Sequence, residues 1–74
     1  MASDEAPRKH SLTLLGHRTS VSLEPAFWEA FRDLARAEGK SLNGLAAEID
    51  AARPSDQGLA SAIRVHVLRR LREP

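Results

Sequence analysis

The sequence predicts a small, mainly α-helical domain with one short β-strand, which is completed by pairing with the same strand of a second copy. Three observations lead there. The stretch "RTSVSLEP", Arg18 to Pro25, alternates polar and apolar residues with period two and runs directly into a proline. Three apolar stripes at helical spacing follow, separated at Gly39 and Pro54. The chain has 74 residues and no cysteine, so its core sits near the lower limit for independent stability and no disulfide can support it. Self-association is the cheapest remaining support.

Residues 1–10, "MASDEAPRKH", lack apolar periodicity and read as a flexible arm whose Arg8 and Lys9 lie within reach of a phosphate. Residues 11–53 form the core domain and residues 54–74 an additional C-terminal helix. In "SLTLLGHRTSVSLE", Leu12 and Leu14 share one face of an extended chain, and Thr19, Val21 and Leu23 share one face. An odd number of steps separates the two sets, so an unbroken strand would send them to opposite faces. Gly16 suits either a bulge or a tight Gly16 and His17 turn. The favoured reading is a strand from Arg18 to Leu23 preceded by a kinked extension, with Ser11 to Leu15 left open as an extra strand or a hairpin arm.

Pro25 suits the first turn of a helix over Pro25 to Glu38, with Phe27, Trp28, Phe31, Leu34 and Ala35 on its apolar side and Gly39 as its C-terminal cap. Ser41 is an N-cap for a second helix, in which Leu42, Leu45, Ala46 and Ile49 repeat. Gly44 weakens that helix by about 1 kcal/mol relative to alanine, which suggests close packing or a ligand near its first turn. Arg53 and Pro54 end it. Ser55 or Asp56 is expected to cap a third helix, striped by Leu59, Ala62, Ile63, His66 and Val67, with Val65 and Leu68 as a second apolar edge.

No apolar run is long enough to span a bilayer and no signal-peptide core is evident, so a cytoplasmic location is expected. A net charge of +1 does not by itself indicate nucleic acid, but the charge is unevenly placed. Four arginines, Arg64, Arg69, Arg70 and Arg72, face one acid between Leu59 and Glu73, whereas Glu24 to Asp50 is net acidic. The arginines read equally as a solvated face or as a flank for phosphates or an acidic partner.

A lone strand leaves a row of amides and carbonyls unpaired, and an antiparallel ribbon with a second copy would satisfy them. Thr19, Val21 and Leu23 would then join Phe27, Trp28, Phe31, Leu34, Leu45 and Ile49 in a dimer core, with Arg18, Ser20 and Ser22 facing outward. A two-stranded ribbon fits the DNA major groove, where arginine bonds guanine in bidentate fashion and serine serves either base type.

The segment "RTSVSLEPAFWEAFRDLARAEGKSLNGLAAEI", Arg18 to Ile49, resembles the ribbon-helix-helix DNA-binding superfamily of the Arc and MetJ repressors. With "GHRTSVSLE", "FW" and "SAIR", the whole chain is similar to a compact bacterial group of that superfamily known as predicted DNA binders. The resemblance implies an intertwined homodimer whose ribbon reads base edges through Arg18, Ser20 and Ser22. It also implies that Ser41, Leu42 and Asn43 hold a backbone phosphate at a helix N-terminus. His17, at the ribbon end, is a further phosphate candidate. The pattern departs from the superfamily at Glu24, an unusual cap that brings a negative charge close to the ribbon, and in its extra helix.

Other chemistry finds little support. His10, His17 and His66 have no carboxylate at helical ligand spacing, so no metal is expected. No nucleophile has a base at a recognisable spacing, and neither an enzymatic role nor a cofactor is expected. Phe27, Trp28 and Phe31 are read as core rather than as a stacking platform. A salt bridge or a cap between Asp50 and Arg64 is expected to fasten the third helix. The sequence therefore points to a homodimeric transcriptional regulator binding duplex DNA; the alternative is the same dimer as an antitoxin-like or adaptor module, engaging a protein through its last helix.

Overall fold

At Leu15 and Gly16 the chain turns back on itself, with φ of 51° and 86°. Two consecutive positive φ values are those of a type I′ turn, whose twist matches that of a two-residue hairpin. The computed structural model, which describes residues 6–73, accordingly begins with two antiparallel strands, β1 (Arg8–Leu14) and β2 (His17–Leu23). Three helices follow: α1 (Pro25–Ala37), α2 (Leu42–Ala52) and α3 (Leu59–Arg72). The ribbon and helices come in the expected order, with the expected extra helix at the C-terminus.

The expected single strand is corrected to two, and β2 pairs with β1 of the same chain. The register pairs Leu14 with His17, Leu12 with Thr19, His10 with Val21 and Arg8 with Leu23. Even-numbered residues of β1 thus lie opposite odd-numbered residues of β2. This resolves the parity conflict in the sequence: Leu12, Leu14, Val21 and Leu23 all point to one face and are all buried. Arg8 to His10, expected in a flexible arm, are strand residues; residues 1–5 of that arm lie outside the described residues.

The inward face of the hairpin packs on the helices. Phe31 and Ala35 of α1, Leu45, Ala46 and Ile49 of α2, and Ala62, Ile63 and Val67 of α3 complete one core with the four strand residues. Leu23, Phe31, Leu45 and Ile63 are essentially inaccessible, and each contributes about 1.5–3 kcal/mol by burial. The last helix is therefore part of the core.

Helix ends follow the local chemistry. Gly39, at φ +69°, closes α1: its amide donates to the Arg36 carbonyl at 3.1 Å, and the Lys40 amide donates to the Ala35 carbonyl at 2.9 Å. These two bonds make a Schellman motif. Ser41 caps α2 by accepting from the Gly44 amide at 2.9 Å. A Cβ on Gly44 would come within 2.9 Å of that same hydroxyl, so what crowds this glycine is its own cap. The cap of α3 is Gly58, not Ser55 or Asp56, which precede it in the turn where the Gln57 amide reaches the Pro54 carbonyl at 3.1 Å.

Candidate nucleic-acid interface

A two-residue turn makes its flanking residues, Leu14 and His17, a hydrogen-bonded pair, and such pairs then recur at every second position. The amides and carbonyls of Leu12, His10, Thr19 and Val21 are consequently turned into the hairpin. Those of Arg18, Ser20 and Ser22 are turned to the far edge of β2, and those of Lys9, Ser11 and Thr13 to the far edge of β1.

These two edges have different surroundings. The Thr13 amide on the β1 edge donates to Asn43 Oδ1 at 3.1 Å, which ties that margin to the first turn of α2. On the β2 edge, Arg64 Nη2 donates to the Ser22 carbonyl at 3.3 Å, near the end of the strand. Beside the turn end of β2 lies a cleft of about 450 Å³, lined by Leu14, Thr19, Ala47, Ala51 and Leu59 together with the polar His17, Arg18, Asp50 and Arg53.

The side chains of the same six residues form the outward face. Lys9 lies opposite Ser22, Ser11 opposite Ser20, and Thr13 opposite Arg18, and all six are exposed. This face carries two cations and four hydroxyls, with no acid and no bulky apolar group.

Glu24 does not leave an open negative charge beside the ribbon. Its Oε1 accepts from Arg64 Nε at 2.9 Å, and this bond holds the carboxyl below its ordinary value of 4.5. The Arg64 guanidinium also sits 5.9 Å from the centre of the Phe27 ring, so one side chain joins α3 to the start of α1 and the end of β2. The expected Asp50 to Arg64 bridge is thereby corrected: Asp50 pairs with Arg53 at 2.7 Å, a partner three residues away on its own turn.

Arg18, Ser20 and Ser22 share the outward face, whereas His17, paired with Leu14, is exposed on the opposite, cleft-lining side at the turn end, not beside them as expected. Ser41 and Asn43 are exposed and Leu42 half-buried at the start of α2. The Ser41 hydroxyl is engaged by its own helix, and the Asn43 carbonyl oxygen is engaged by β1. Among the expected dimer-core residues, Val21, Leu23, Phe31, Leu45 and Ile49 are buried within the one chain, Phe27, Trp28 and Leu34 are partly buried, and Thr19 is exposed. His10 stacks flat on Trp28, with ring centres 3.7 Å apart. His66, on the stripe of α3, is half-buried and has its Nε2 buried, with no hydrogen-bond partner among the described residues. Sequence reasoning named Lys9 only as a flexible-arm residue within reach of a phosphate and did not single out Ser11 and Thr13, because the outward face of β1 exists only once the hairpin is closed.

A polar hairpin face precedes a Schellman-closed helix and a serine-capped helix, and the profile described as "Ribbon-helix-helix domain" matches residues 7–71. The chain belongs to the ribbon-helix-helix family. Members of that family are generally DNA-binding transcription regulators or antitoxins, typically dimeric and non-enzymatic. Among solved structures, the ribbon-helix-helix chain is similar to an uncharacterized protein from Bordetella pertussis Tohama I, with a TM-score of 0.72 and 26% sequence identity. The similarity covers 92% of this chain and 58% of that one, so the present chain spans little more than half of its relative. A search of curated proteins gave no match. Among the described residues, no helix is long and apolar enough to cross a membrane, and no group of three or more His, Asp or Glu side chains is placed to hold a metal ion.

Proposed function

We propose that this ribbon-helix-helix protein is a cytoplasmic transcription regulator in which two copies pair along β2 and bind duplex DNA through the outward face. The observation that carries this reading is the pairing of an open backbone margin on β2 with an outward face that holds cations and hydroxyls and no acid. A two-fold axis at that margin makes an antiparallel sheet in the order β1, β2, β2 of the second copy, β1 of the second copy. The cleft beside Thr19, Ala47 and Ala51 receives apolar surface from the second copy. Thr19, exposed in one chain, turns into the joint core beside Val21 and Leu23.

In this assembly Arg18 is the residue long enough to bond guanine O6 and N7, while Ser20 and Ser22 act at short range. The first turn of α2, Ser41 to Asn43, lies toward the backbone phosphates, with free helix amides as donors; His17, expected to contact phosphate, is on the opposite face and borders the cleft that receives the second copy. Phosphate contact makes binding salt-dependent. Fluorescence anisotropy with random-sequence duplexes at low and moderate salt tests the class. A signal that falls steeply as salt rises supports the reading, and no binding at low salt ends it.

A second reading has its own observation. Leu68 and Leu71 on α3 are 53% and 65% exposed beside Arg69 and Arg72, a surface suited to a protein partner as in an antitoxin. Deletion of α3 does not separate the two readings, because Ile63 and Val67 belong to the core. Replacement of Leu68 and Leu71 by Gln does: DNA binding that persists unchanged assigns that surface to a different task.

A further inference from the structure

We propose that the outward row of β1, Lys9, Ser11 and Thr13, is a second DNA-contacting element that grips the phosphate backbone at each side of the sheet; this rests on the proposed DNA-binding role. The width of the sheet points to it. Three inter-strand spacings of about 4.8 Å put the outer strands of the four-stranded sheet roughly 14 Å apart, before side chains are added. The major groove is about 12 Å wide. A sheet with its central β2 pair over the groove floor must therefore lay its two β1 strands over the groove walls, which are the sugar-phosphate backbones.

The chemistry of the two strands divides in the same way. Arg18, Ser20 and Ser22 occupy the central pair, and Lys9, Ser11 and Thr13 occupy the rims. An ammonium and two hydroxyls are phosphate-contacting groups: they fix register and orientation and carry no direct sequence information. Lys9 is exposed and, among the described residues, no carboxylate lies within ion-pair distance of it. Among the described residues nothing competes with a polyanion for its charge. The backbone of β1 is held in place for this by the bond from the Thr13 amide to Asn43, which leaves the Thr13 hydroxyl on the outward face. The sheet thus forms a saddle across the groove, with long-range reading by Arg18 and positioning by β1.

The test is a salt titration of full-length wild type, Lys9→Ala, Lys9→Arg and Arg18→Ala on two unrelated duplexes, with thermal melts as folding controls. Lys9→Ala should weaken binding to both duplexes by the same factor and make the log–log salt slope shallower by about 2 per dimer, one phosphate contact per copy. Lys9→Arg should restore the slope. Arg18→Ala should instead change the ratio between duplexes. Unchanged affinity and slope in folded Lys9→Ala, with Arg18→Ala still impaired, would overturn the role of β1 while leaving DNA binding intact. Failure of the wild type to bind either duplex at low salt would remove both.

Discussion

Leu15 is a bulky residue held at φ 51° and 86% exposed, at the tip of the hairpin. A left-handed conformation costs a non-glycine residue about 1–2 kcal/mol, and asparagine tolerates it far better. Leu15→Asn, which creates an Asn-Gly turn, should stabilise the domain by about 1 kcal/mol and raise its thermal midpoint by about 4–8 °C in a circular dichroism melt. A lowered midpoint would show that the leucine packs against something in the assembled protein. Asn43 makes a different kind of contribution, since its side chain joins two elements that are 30 residues apart. Asn43→Ala should cost about 1 kcal/mol and speed hydrogen exchange at the Thr13 amide, with the Ser41 cap unaffected.

At the scale of elements, charge pairs hold the helices to one another and to the ribbon. Glu38 lies between Lys40 at 3.2 Å and Arg70 of α3 at 2.8 Å, and Lys40 also reaches Glu48 of α2 at 2.7 Å. The bond from Lys40 holds the Glu38 carboxyl below 4.5, as the Arg64 bond does for Glu24. A carboxylate with a lowered value in the folded state contributes stability above its unfolded value, and loses it as pH falls through the folded value. Lys40, raised above 10.5 first by its bond to Glu48, contributes fully below 10.5 and loses that contribution at more alkaline pH. Stability should thus be level near neutrality and fall below about pH 4.5. Arg64→Ala should make the fall of the thermal midpoint between about pH 5 and pH 3 shallower, because Glu24 no longer contributes to it. An identical acid limb in the variant would show that the Glu24 bond plays no part.

The helices were legible because each carries its own periodicity and stop signal: Pro25 and Gly39 for α1, Ser41 and Arg53-Pro54 for α2. The outward row Arg18, Ser20 and Ser22 was legible for the same reason, from an alternation of period two. β1 was ambiguous. Its apolar set is only Leu12 and Leu14, and Leu-Gly is not the Asn-Gly or Asp-Gly pair that usually announces a type I′ turn. The pairing of Arg64 with Glu24 was beyond the sequence because 40 residues separate them and only tertiary packing brings α3 against the end of β2. Gly58 as a cap was hidden by Ser55 and Asp56, which have better capping side chains but sit in the preceding turn.

For the whole molecule, the decisive quantity is how many copies assemble. The Ser20 amide is not used within the hairpin, since Ser20 and Ser11 form a non-hydrogen-bonded pair by the alternation from the turn. Ser20→Pro should therefore preserve the internal ladder and the folded chain while blocking backbone pairing between copies. Sedimentation of wild type as a dimer and Ser20→Pro as a folded monomer is the expected outcome; a variant that remains dimeric would place the interface elsewhere. The two margins of the hairpin are unequal in a way that bears on this. One is tethered to α2 through Asn43 at its turn end, while the other is tied to Arg64 only at its far end and borders the cleft beside Thr19. A strip with a single adhesive side can be joined once and then offers nothing to a third member. Association should saturate at two however concentrated the solution, and light scattering across a dilution series would register that ceiling as a constant mass.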